Sequence, residues 1–111
     1  MAGDITTIAR PYAEAAFARA RETNTVGAWT EGLELLAAVA EEPTMADQIS
    51  NRNVPRERVR DLILDVGSGV LSDDMANLVR LLADNDRFAA LPQIAVLFED
   101  LKSRQQGMYQ V

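Results

Sequence analysis

Three places in the chain have residue types and spacing suited to chemistry. Asp84-Asn85-Asp86 opens like a calcium loop. The match stops there, because Ala89 stands where such a loop needs glycine and Ala95 where it needs a bidentate glutamate. Gly67-Ser68-Gly69 suggests a phosphate cradle, but no lysine follows and no strand pattern precedes it. Asp61/Asp65 and Glu31/Glu34 are carboxylate pairs at helical spacing. With no electrophile, histidine or metal partner beside them they read as solvated helix faces. The chain contains no cysteine and no histidine. That excludes disulfides, Cys/His zinc sites, thiolate nucleophiles and His-dependent triads. No catalytic, cofactor-binding or metal-binding residue is expected.

The elements that would position any site are helices. The 111 residues are enough for one core and not two. Seventeen alanines and twelve leucines against six aromatics favour helix over sheet. Breakers cut the chain into six segments, predicting helices at about 4–22, 26–41, 44–50, 55–66, 73–84 and 91–105. Pro43, Pro55 and Pro92 sit at helix starts, where a missing N–H costs nothing. Gly67-Ser68-Gly69 stops the fourth helix through glycine's tolerance of the left-handed conformation. Ser72 caps the fifth, with Asp73 and Asp74 against its positive end. Pro11 falls inside the first pattern. One bent helix is favoured over a start near Ile8, because Ile5, Ile8 and Tyr12 share a face across it. Short loops predict antiparallel neighbours, giving an all-α, six-helix bundle. Residues 1–105 form the helical domain. Residues 106–111 read as the start of a linker to a missing C-terminal domain, with a hint of strand at 108–111.

Net charge is −6, which disfavours nucleic acid and anionic membrane surfaces. Met1-Ala2-Gly3-Asp4 lacks the basic start of a signal peptide. Leu35–Ala40, the longest apolar run, is far short of the roughly 20 residues a span needs, so no membrane insertion is expected and a soluble, intracellular chain is.

The informative signal is the width of the apolar arcs. The second and fourth helices carry stripes of about 100°, as one core requires. Trp29, Leu33, Leu36, Leu62, Ile63, Val66, Phe98 and Leu101 are the expected core. The first and fifth helices are apolar over about 200° and about 220°. Such helices are either central in the bundle or buried twice, the second time by a partner helix laid between them. Under the second reading the arc edges place a groove along Ile8, Tyr12, Ala15 and Arg19 on the first helix. On the fifth they place it along Asn77, Leu78, Leu81 and Asn85.

Ile8-Ala9-Arg10-Pro11-Tyr12-Ala13-Glu14-Ala15-Ala16-Phe17 resembles the opening signature of the delta subunit family of bacterial ATP synthase, whose mitochondrial counterpart is the oligomycin-sensitivity-conferring protein. Asn77-Leu78-Val79-Arg80-Leu81-Leu82-Ala83-Asp84-Asn85-Asp86-Arg87, followed by Leu91-Pro92, resembles the family's fifth helix and its junction with the sixth. Trp29 and Phe98 fall where the family has aromatics. The likeness runs over essentially the whole chain.

The resemblance implies a non-catalytic stator subunit on top of the alpha/beta hexamer, peripheral on the cytoplasmic side of the bacterial inner membrane. It implies a first/fifth-helix groove holding the N-terminal helix of one alpha subunit. Tyr12, Ala15, Asn77 and Leu81 match the family's groove positions; Ile8, Arg19, Leu78 and Asn85 come from the arcs alone. The family has a second domain that contacts the b subunits of the stalk. This chain stops where that domain would begin, so the alpha-binding half alone is expected, as a monomer. Two rivals stand beside this reading: an unrelated helical adaptor using the same groove, and a small-molecule site inside the bundle. The second needs convergent polar groups on the inward stripes, and the second, fourth and sixth stripes have none.

Overall fold

α1 (Ile5–Glu22) starts where Asp4 accepts the Thr6 N–H at 2.9 Å, the first bond of the computed structural model, which describes residues 4–108 and the side chains of residues 4–105. The helix runs unbroken through Pro11, as the shared face of Ile5, Ile8 and Tyr12 predicts. α2 (Val26–Glu41) and α3 (Pro43–Ser50) meet at Glu42, which ends one helix and caps the next with Pro43 in its first turn. α4 (Arg56–Val66) begins one residue later than predicted, with Pro55 as its cap. α5 (Asp73–Asn85) is capped by Ser72, whose hydroxyl accepts the Met75 N–H at 3.3 Å. α6 (Leu91–Met108) completes the six, and among the described residues there is no strand. It continues three residues past the predicted end at 105. Of the expected strand hint at 108–111, Met108 is helical, as the last residue of α6, and 109–111 lie outside the described residues.

α6 is the spine, packed along both α1 and α2, while α5 packs chiefly on α4. Phe98 has no exposed surface; its ring meets Phe17 edge-on at 5.4 Å and stacks on Trp29 at 6.4 Å. Trp29, Leu33, Leu36 and Ile63 are buried as expected, whereas Leu62 and Leu101 are half-buried against the core. Val66 departs from expectation and is 52% exposed. It is the last residue of α4, and Gly67 takes the inward place instead, where any Cβ would overlap the Leu71 side chain. The left-handed residue of that turn is Gly69 (φ +89°), three positions past the helix. A short 3-10 turn, Phe88–Ala90, was not visible in the periodicity, yet it buries Phe88 and Ala90.

Two polar devices hold the smaller helices. The Arg56 guanidinium donates to the carbonyls of Gln48, Ile49, Asn51 and Val54 at 2.9–3.1 Å, closing the C-terminal end of α3. Its fork matches that spread of acceptors, which a single ammonium does not. Arg56→Ala should cost about 1.5–3 kcal/mol of stability, and Arg56→Lys should recover only part, read by urea denaturation. The Glu42 carboxylate accepts the Met45 N–H at 2.9 Å. That bond, then one from Thr44, holds Glu42 below the usual glutamate value of 4.5. A depressed acid stabilises the fold above its unfolded pKa and loses that contribution as pH falls through the folded one. Acidification from neutral pH to below about 4.5 should therefore lower the melting temperature of wild type more than that of Glu42→Gln.

Candidate functional site

Ile8, Tyr12, Ala15 and Arg19 recur at helical spacing along one side of α1, and Asn77, Leu78, Leu81 and Asn85 along one side of α5. The structure faces these rows across an open trough of about 690 Å³. Seven of the eight line it; Asn85 stands at its end, where its Nδ2 donates to the Tyr12 hydroxyl oxygen at 2.8 Å. At the opposite end Arg19 Nε donates to Asp74 Oδ2 at 2.9 Å. The two helices are thus antiparallel, and the trough spans about three turns, roughly 16 Å.

α1 and α5 make almost no backbone contact with each other. They are adjacent only across this gap, and the two side-chain bonds are what join its walls. The floor comes from elsewhere: Trp29 of α2 and the buried face of Ala16. Ala15 is exposed on the wall, because Ala9, Ala13, Ala16 and Ala20 take the inward row of α1. The two leucines of the α5 edge part company. Leu78 is only 8% exposed, tucked under the α5 wall, while Leu81 one turn on is 47% exposed and overhangs the trough. Ile8 and Tyr12 are half-buried.

Thr7, Pro11, Trp29, Asp74 and Arg87 also line the trough, and none was singled out for it by the sequence. Pro11 has no N–H, so the Thr7 carbonyl on this wall lacks its usual helical donor. Gly32 of α2 is a further missed position. A Cβ there would overlap the end of the Met75 side chain, so the glycine leaves room for that side chain of α5 beside α2.

The electrostatics are confined to the ends. Asp74 first, then Glu22 at 3.2 Å, hold the Arg19 proton more firmly than usual. Between the ends the surface is mostly alanine, leucine, isoleucine, proline and aromatic ring, with Thr7 and Asn77 as its polar members. In the Asp84-Asn85-Asp86 run, Asn85 bonds Tyr12, and Asp86 closes α5 in the left-handed conformation and lies 3.4 Å from Arg56. Among the described residues no cluster of three or more acidic side chains is placed to hold a metal, and no helix is long and apolar enough to cross a membrane. An open, mostly apolar trough bonded across at both ends suits a helix better than a small molecule.

The sequence model of the family described as ATP synthase delta (OSCP) subunit matches residues 8–111. The chain belongs to that family. The ATP synthase subunit delta of Aromatoleum aromaticum is 41% identical over 102 residues, 92% of this chain and 57% of that protein. The subunit of the same name from Alkalilimnicola ehrlichii is 41% identical over 107 residues, 96% of this chain and 60% of its own length. That of Hahella chejuensis is 42% identical over 102 residues, again 92% and 57%. The delta-family chain therefore spans a little over half the length of the relatives it matches.

Proposed function

We propose that this delta-family chain is the head-binding part of a non-catalytic stator subunit in a rotary F-type ATP synthase. The α1–α5 trough receives the N-terminal helix of an alpha subunit. By holding that helix it ties the static catalytic head to the membrane-anchored stalk, so the rotor's torque drives catalysis instead of turning the head. The b subunits of the stalk are met by a C-terminal domain beyond these 111 residues. The complex places the chain peripherally on the cytoplasmic side of the membrane. It contributes no catalytic group and binds no nucleotide.

The observation that carries this reading is the apolar trough, which stays open among the described residues. An incoming helix with apolar residues at i, i+3, i+4 and i+7 matches a strip of Ile8, Tyr12, Ala15 and Leu81. Trp29, the chain's one tryptophan, lies on the floor and supplies the signal. Titrating a peptide of the alpha N-terminus should change its emission saturably, with affinity falling only modestly as salt rises. Leu81→Ala should weaken that binding by about 1–3 kcal/mol, with little change in melting temperature because the side chain is half exposed. No binding by wild type would discard this partner and leave the trough to another helix.

A further inference from the structure

A second furrow runs along the seam of α2 and α6 and shares no residue with the α1–α5 trough. It consists of two hollows of about 300 and 430 Å³ that join at Glu34, Ala95 and Val96. Its base is apolar and small-sided: Ala37, Ala38, Ala95 and Val96, with Val96 52% exposed. Small side chains on both helices let a third backbone approach closely. The rim has one sign. Glu34 and Glu41 stand seven residues apart on α2, two turns or about 10 Å, and Glu99 and Asp100 stand on α6.

No lysine or arginine lines either hollow. Lys102 stands just beyond one end, where its Nζ donates to Thr30 Oγ1 at 3.1 Å and lies 3.1 Å from Glu99 Oε2 without the angle of a hydrogen bond. Among the described residues Glu34, Glu41 and Asp100 make no ion pair. Exposed acids seven residues apart, flanking an exposed valine and a row of alanines, complement one chemistry.

We infer that the α2–α6 furrow docks a second partner segment, a cationic amphipathic helix whose apolar stripe covers Ala38 and Val96 and whose basic residues, seven apart, meet Glu34 and Glu41. A second copy of this chain does not fit, since its net charge is −6 and its own rim is acidic. An anionic lipid surface is repelled for the same reason. Binding here is charge-led, and that separates it from the apolar α1–α5 trough: steep salt dependence marks one site and shallow dependence the other.

The test uses the 111-residue chain and a synthetic helix of about 18 residues, some five turns, with an alanine/leucine face flanked by lysines at seven-residue spacing. A scrambled peptide of identical composition serves as control. Amide chemical-shift mapping should place the patterned peptide on α2 and α6, with calorimetric affinity at least about tenfold tighter than for the scramble. Glu34→Gln with Glu41→Gln should weaken binding about tenfold and flatten its salt dependence, two exposed ion pairs being removed. Leu81→Ala should leave it unchanged, so failure here is distinguishable from failure at the trough. Shifts centred on α1 and α5, equal binding of the scrambled peptide, or an unmoved affinity in the double variant would each overturn the inference.

Discussion

Ala15→Asp should raise the dissociation constant for the alpha N-terminal peptide by at least about 100-fold, close to 3 kcal/mol, while the domain still folds. Ala15 is exposed on the α1 wall between Tyr12 and Arg19, so the free domain meets the new carboxylate in water. Its cost to the free helix is one of propensity, at most about 0.7 kcal/mol. Once a helix seats, the carboxylate is stripped of water against an apolar face, and burying an unpaired charge is among the most expensive events at an interface. Arg19 is four residues on, but Asp74 and Glu22 already engage it. Any rescue by a pair of that spacing is worth only about 0.3–0.5 kcal/mol. Calorimetric titration beside a melting curve separates lost binding from lost fold. Unchanged affinity in a folded variant would move the site off this wall.

Phe98→Ala should destabilise the fold by about 3–5 kcal/mol. The ring is wholly enclosed, and both of its aromatic partners lose a face when it goes. α6 packs along α1 and α2 at once, so neither neighbour can close the void without leaving the other. In a domain of this size that loss corresponds to roughly 10–20 °C in melting temperature. A second readout follows from position: Trp29 stacks on Phe98 and floors the trough, so its emission should shift in the unliganded variant. A loss below about 1 kcal/mol would show that the core there collapses freely.

Much of this was written in the sequence. Prolines, glycines and a capping serine marked the helix ends to within a residue or three, because each acts through its own backbone chemistry and needs no tertiary context. The two wide arcs identified the helices that face each other across the trough, and all eight edge residues line it or close its end. What periodicity could not supply was distance. An apolar arc says which face is dry, not how far the facing helix stands, so the gap between α1 and α5 and its tryptophan floor were hidden. Leu78 and Leu81 look equivalent on a wheel, yet one is tucked under and the other overhangs. Val66 continued a stripe past the point where anything covers it. Arg56 and Gly32 act through Gln48 and Met75, contacts set by folding and by no local pattern.

The near absence of backbone contact between α1 and α5 bears on how long an unassembled copy survives. α5 packs its backbone chiefly on α4 but shares one buried core with the rest of the domain, so an opening at the α1–α5 gap is local and must release buried side chains such as Met75 and Leu82. A seated helix that touches both walls closes that route. At a free concentration 100 times its dissociation constant it adds about 2.7 kcal/mol to the stability of the folded state. Opening then becomes about a hundredfold rarer, and so does exposure to proteases that cleave the opened form. On the proposed reading, copies that find no partner would be cleared first, and the trough would adjust the supply of subunits to the number of heads waiting for one.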